Sequence, residues 1–239
     1  MRILITNDDG YNAEGIKLLI EKAQKYGEVF VVAPMNEQSA MSHAITVRRK
    51  IRYIEYDDHH YSIDSTTADC VRFASYGLKL DYDMVFSGVN KGFNVGEDIW
   101  YSGTLSAVFE SDSVGKKAIG FSCDKEGFDG FIKCFDEVME YINQNKLLDY
   151  CNLYNINFPI NPKGILITHQ GKCNFDNYFN FEGDYVYQDG YPSHDNNKLK
   201  LEIDVPCVMN DYISITPMTS DRTDFNAYNC IKKKCLDKK

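Results

Sequence analysis

The sequence predicts a doubly wound α/β fold, a mostly parallel Rossmann-like sheet with a C-terminal antiparallel extension suited to oligomerisation. Three observations carry that expectation. An apolar run without alternation opens the chain, a helical stripe and a second apolar run follow it, and the same order returns between residues 83 and 122.

Arg2–Thr6 is such a run, and a short apolar stretch without alternation suits a strand buried on both faces of a parallel sheet. Across residues 13–26 the side chains Ile16, Leu19, Ile20 and Ala23 recur at helical spacing, and Gly27 stops the helix. Residues 28–33 form the second buried strand, and strand, helix, strand implies a right-handed crossover. Downstream, residues 83–87 predict a strand, 105–114 a helix with Leu105, Val108 and Phe109 on one face, and 118–122 a further strand. A longer helix is expected over 128–145, where Phe131, Ile132, Phe135, Val138, Met139 and Ile142 share a face. Beyond residue 160 Asn, Asp and Tyr become frequent, and short strands are expected at 165–168, 184–187, 199–205 and 212–216. The 239 residues therefore divide into a Rossmann-like catalytic core, 1–160, and a strand-rich extension and tail, 161–239, within one domain.

Composition narrows the function. With 44% hydrophobic and 26% charged residues the chain has the make-up of a globular protein with a full core. A net charge of −9 repels nucleic acid polymers and anionic membranes, so a small anionic substrate needs a local cation. The N-terminus lacks a signal-like apolar stretch, and no run approaches the ~18 apolar residues of a membrane span. The eight cysteines are scattered without a C-x-x-C pair, as expected of reduced thiols in a cytoplasmic protein.

Chemistry is expected where strands end, because open α/β sheets bind ligands at the carboxyl ends of their strands. Thr6-Asn7-Asp8-Asp9-Gly10 follows the first strand. Adjacent aspartates also serve as turn formers, yet two carboxylates side by side repel one another, and a bound cation relieves that. The loop after the second strand holds Ser39, and the Gly-rich run from Ser87 to Gly96 holds Asn90, Lys91 and Asn94. Its glycines at 88, 92 and 96 match neither a P-loop nor a dinucleotide fingerprint. Tyr101-Ser102-Gly103-Thr104 opens a helix, and a helix start with free N–H groups is an anion site. Asp8, Asp9, Ser39 and Asn90 thus offer oxygen donors for one divalent ion, while Asn94, Ser102, Gly103 and Thr104 offer anion donors and Lys91 a local cation. All-oxygen donors favour Mg²⁺, Mn²⁺ or Ca²⁺ over zinc.

These blocks, with Val31-Val32-Ala33-Pro34 and Ser214-Ile215-Thr216-Pro217, stand in the order of the SurE family of stationary-phase survival proteins, which the chain resembles over most of its length. The resemblance implies a 5′/3′-nucleotidase acting on nucleoside monophosphates with Mg²⁺ or Mn²⁺. It implies Asp8, Asp9, Ser39 and Asn90 as metal ligands, and Asn94, Ser102, Gly103 and Thr104 as the phosphate site. It also implies homodimers or homotetramers built by exchange of C-terminal segments. The chain departs from the pattern at Ser65-Thr66-Thr67-Ala68-Asp69-Cys70, where Gly-Thr-Pro-Ala-Asp-Cys is expected, and at Gln38 and Ser111.

The expected chemistry is hydrolysis, with Asp8 or Asp9 orienting or deprotonating a water and Lys91 and the helix start stabilising phosphoryl charge. Two rivals fit some of the same residues. One is a haloacid-dehalogenase-like phosphatase with Asp8 as nucleophile, disfavoured because Asp8-Asp9-Gly10-Tyr11 is not D-x-D-x-T/V; the other is a non-catalytic sensor of metal and nucleotide. No motif supplies an obvious aromatic clamp with base-reading partners, so discrimination among bases is expected to be modest.

Overall fold

The computed structural model describes residues 1–173, 175–192 and 196–236. The opening unit is β1 (Arg2–Thr6), α1 (Glu14–Ala23) and β2 (Glu28–Pro34), with the two strands parallel. Side chains of β1 show why its sequence does not alternate in polarity. Ile3 and Ile5 enter one core with Ile16 and Leu19 of α1, whereas Leu4 enters a second core on the opposite face. Successive strand residues point to opposite faces, so a strand covered on both sides is apolar throughout.

The chain then moves outward through β3 (Tyr53–Asp57) and β4 (His60–Ile63), and α2 (Thr67–Arg72) runs on into a π-helical turn at Phe73–Gly77. It crosses back to β5 (Met84–Lys91), passes a 3₁₀ turn at Gly96–Trp100, and continues as α3 (Gly103–Ser113), β6 (Lys117–Cys123) and α4 (Asp129–Gln144). After α5 (Leu147–Tyr150) come β7 (Leu153–Phe158), β8 (Ile165–Ile167), β9 (Phe175–Glu182) and β10 (Tyr185–Pro192), followed by α6 (Asp204–Met209), β11 (Ile213–Met218) and α7 (Phe225–Leu236).

Nine strands form one sheet in the order β3-β4-β2-β1-β5-β6-β7-β11-β8. The run from β4 to β7 is parallel. Phe121 of β6 packs against Phe86, Phe131, Phe135 and Phe158 in the core beneath α1 and α4. Truncating so central a ring to alanine costs about 3–5 kcal/mol.

Beyond residue 160 the expectations hold in part. The strands at 165–168, 184–187 and 212–216 coincide with β8, β10 and β11. Antiparallel pairing is found between β9 and β10 and between β11 and β7, but β8 runs parallel to β11, and both belong to the main sheet. The strand expected at 199–205 is replaced by a turn and the start of α6. Two residues explain the correction. Pro206 has no N–H for a ladder yet is tolerated in a helix's first turn, and the buried Asp204 carboxylate accepts backbone N–H groups of Gly96, Gly171 and Val205 at 2.7–2.9 Å. All eight cysteines are free, and among the described residues no helix is long and apolar enough to cross a membrane.

Candidate active site

β1 lies between β2 on one side and β5 on the other, so the chain's direction of winding reverses beside β1. That is the switch point where open sheets leave a crevice. The register Thr6↔Ser87 sets the ends of β1 and β5 side by side, and the residues just past them are the Asp8-Asp9 pair and Asn90-Lys91.

The acidic turn is held by its own backbone. Asn7 Nδ2 donates to the Gly10 carbonyl at 3.0 Å, and Tyr11 N donates to Pro34 O at 2.8 Å. Gly10 sits at φ +103°, a conformation that favours glycine. Gln38 N donates to the Asp8 carbonyl at 2.6 Å, which draws the Ser39 loop against the pair. Asp8 is almost fully buried, and its Oδ1 accepts from Thr104 Oγ1 at 2.5 Å. Burial pushes the Asp8 carboxyl above its ordinary value, with the Thr104 hydrogen bond acting against that rise. Asp9 is less buried, and burial together with the charges of Asp8 and Glu37 pushes its carboxyl up to about 6.

Opposite charge is scarce here. Lys91 is exposed and holds its ammonium over the Phe128 ring, 5.9 Å from the centroid. Ser39 is exposed and donates to Glu37 Oε1 at 2.7 Å. Asn90 Nδ2 donates to the Gly92 carbonyl at 2.8 Å, leaving Oδ1 without a partner among the described residues. Asn7 Oδ1 and Ser87 Oγ are buried at the same strand ends with no hydrogen-bond partner among the described residues. Mutually repelling carboxylates beside neutral oxygens suit a hard divalent cation. Among the described residues no three His, Cys, Asp or Glu side chains group as a metal site, so such an ion would depend on Ser39 and Asn90 beside the two carboxylates.

The anion side is built differently. Ser102 caps α3, its Oγ accepting from Leu105 N at 3.1 Å. Gly103 begins the helix directly over Asp8. A Cβ built there would lie 2.5 Å from Asp8 Cβ and 2.8 Å from Oδ2, so only glycine allows this approach. Asn94 donates from Nδ2 to Ser122 Oγ at 2.8 Å and from its backbone N to Asn157 Oδ1 at 2.8 Å, while Asn155 Nδ2 donates to its carbonyl at 2.7 Å.

The structure therefore joins Asp8 to Gly103 and Thr104 by contact, and ties Ser39 to Glu37, whose charge repels Asp9. It turns Lys91 toward Phe128. Sequence reasoning missed Asn155 and Asn157 because β7 was not anticipated, although Leu-Tyr-Asn-Ile-Asn-Phe alternates with period two. It also passed over Glu37, and over Ser42, whose N–H donates to Tyr101 O at 3.0 Å and whose Oγ donates to Trp100 O at 2.6 Å, tying the Ser39 loop to the helix start. The unusual Ser65-Thr66 segment caps α2: Thr66 Oγ1 accepts from Asp69 N at 3.2 Å and donates to Ala44 O at 2.7 Å.

A family model described as survival protein SurE matches residues 3–177. A Clostridium botulinum protein named 5′-nucleotidase SurE is 38% identical over 249 residues, covering 95% of this chain and 96% of its own. A Histophilus somni protein of the same name is 34% identical and is covered, like this chain, over 100% of its length. The crystal structure of the SurE protein from Aquifex aeolicus matches with a TM-score of 0.83 at 30% identity, covering 98% of this chain and 99% of that one.

Proposed function

The chain belongs to the SurE family, and on that premise we propose that it hydrolyses nucleoside monophosphates to nucleoside and phosphate, using one Mg²⁺ or Mn²⁺ ion held by Asp8, Asp9, Ser39 and Asn90. The observation that carries the reading is the contact between Asp8 and the start of α3. It brings Asp8, a candidate cation ligand, against the helix start that carries the candidate anion donors.

When bound, the cation supplies Lewis acidity toward a phosphoryl oxygen and makes a water easier to deprotonate. The chain's own groups divide the remaining work. Asp8 has one oxygen committed to Thr104 and is too buried to reach out as a nucleophile, so its part is to hold position. Asp9 is the more accessible carboxylate and has no side-chain hydrogen bond among the described residues, which leaves it free to take a proton from the attacking water. The Gly103 N–H opens α3 and faces no earlier turn, so it is available to a phosphoryl oxygen, whereas the Thr104 N–H is turned to the Asp8 carboxylate. Asn94 lines that site on a backbone locked by Asn155 and Asn157.

Phosphate release from a panel of 5′- and 3′-nucleoside monophosphates, with Mn²⁺ or Mg²⁺ and then with EDTA, tests this. Release that survives EDTA, or fails with every nucleotide, would overturn it.

Assembly as a homodimer or homotetramer is part of the same proposal. In α7 Phe225, Tyr228, Ile231 and Leu236 are each about half or more exposed, and the β9–β10 hairpin exposes Phe179, Phe181, Tyr185 and Tyr187. Apolar surface of this kind favours a partner. Light scattering giving the 27.4 kDa chain mass at every concentration would reject assembly. Eight free thiols support a cytoplasmic location.

A further inference from the structure

Beside the start of α3 lies a cleft of about 820 Å³ that the phosphate and cation residues do not account for. Its walls include Ser102 and Ser106 of the α3 start, together with Trp100, Phe109, His43 and Arg222. We propose that this cleft receives the nucleoside half of the substrate, with the base stacked on the Trp100 indole.

The inference rests on the phosphatase reading for what sits at Ser102, and on geometry for the rest. Ser102 is shared: it caps the helix start that offers an N–H group to phosphate, and it also lines the cleft. A phosphate ester held there would abut this volume at Ser102. The volume falls within the ~300–1,000 Å³ typical of small-molecule sites. Trp100 is 60% exposed, an unusual placement for the largest apolar side chain unless something covers it. Its backbone is fixed, since Ser42 Oγ donates to its carbonyl at 2.6 Å, so the indole is presented from a held turn. Arg222 has no ion pair or hydrogen bond among the described residues and adds a cation to a wall of a negatively charged protein. His43 is already engaged with Glu110 Oε2 at 2.8 Å, and Ser106 Oγ with the Gly103 carbonyl at 2.6 Å. With those groups committed, the cleft binds bases by their faces more than by their edges, which every purine and pyrimidine offers.

The sequence contains a single tryptophan, so intrinsic fluorescence reports on Trp100 directly. Adenosine titrated into the full chain in EDTA should quench that emission saturably. Quenching that stays linear and no steeper than for N-acetyltryptophanamide would overturn the proposal. In Mn²⁺, Trp100→Ala should lower the ratio of kcat/KM for AMP to that for ribose 5-phosphate by about tenfold, chiefly through KM for AMP, with UMP affected in the same sense and Trp100→Phe restoring most of the ratio. An unchanged ratio, with both esters losing equally, would make Trp100 a structural part of the turn and sink the assignment. Wild-type protein that releases no phosphate from either ester, yet shows saturable adenosine quenching, would retire the nucleotidase reading and leave the cleft assignment standing.

Discussion

The two halves of the candidate site differ in how completely the protein itself satisfies them. On the anion side, Asn94, Ser102 and Thr104 are buried and each makes hydrogen bonds that fix it. On the cation side, Asp9, Ser39 and Asn90 are half-buried or exposed, and the charges of Asp8 and Glu37 act on Asp9 with no positive group among the described residues to offset them. The difference teaches that the fold alone satisfies the candidate anion side, whereas on the proposed cation side an added positive charge would relieve the repulsion between carboxylates. Preorganised donors act at no further cost of rearrangement, and repelling carboxylates make folding energy available to whatever ion relieves them.

Breaking the contact between the halves should have the largest effect. Gly103→Ala puts a methyl group into the Asp8 carboxylate, and displacement of reacting groups by about an ångström costs on the order of 10²-fold in rate. Steady-state kinetics and melting temperature should both fall; a variant with wild-type kcat would mean that the approach of α3 to Asp8 is irrelevant.

The next effect isolates the anion side. Asn157→Ala strands the buried Asn94 N–H, at a cost of about 1–3 kcal/mol, or several degrees in melting temperature. KM should rise while the Mn²⁺ affinity of the free protein stays near wild type, as calorimetry can determine. Equal losses of Mn²⁺ affinity and KM would show that the halves are not separable.

A third test sharpens the acidic pole. The Asp9 carboxyl sits at about 6 in the ion-free protein against 3.8 ordinarily. A raised acid stabilises the fold fully below its unfolded value and loses that contribution as pH rises through the folded one. In EDTA, the melting temperature of wild type relative to Asp9→Asn should therefore fall between about pH 4 and pH 6.5. Mn²⁺ at about 100 times its Kd should add about 2.7 kcal/mol to wild type. A relative melting temperature that rises with pH in EDTA would contradict the charge arrangement. The smallest change is expected from Ser39→Ala, since a neutral, exposed oxygen contributes less to a hard cation than a carboxylate; Mn²⁺ affinity should weaken by no more than about tenfold.

Much of this was legible in the sequence for a physical reason. Strands buried on both faces, such as Arg2–Thr6, must be apolar throughout, and their carboxyl ends must carry the loops that can meet ligand, so Asp8, Asn90 and Thr104 were singled out by position. The Asn155 and Asn157 amides were not found, because buried asparagines are mostly recognised by their partners, and Asn94 lies 61 and 63 residues away. The alternation of Leu199, Leu201, Ile203 and Val205 misled at α6, where the tertiary bonds of Asp204 hold a helix start. Lys91 was assigned to phosphate by proximity in sequence, and no sequence rule reveals that its ammonium lies over Phe128.

The central claim is that the Asp8 pole holds an ion on which hydrolysis depends. Asp8→Asn keeps the side-chain volume while removing a charge that burial already disfavours. Phosphate release from AMP and melting temperature should be measured together for this variant and wild type, each with Mn²⁺ and with EDTA. The account expects wild-type release only with Mn²⁺, at least a 100-fold loss in the variant, and a variant that melts no lower than wild type in EDTA while gaining little from Mn²⁺. Near-wild-type release by Asp8→Asn in EDTA would contradict the metal site and the division of labour built on it.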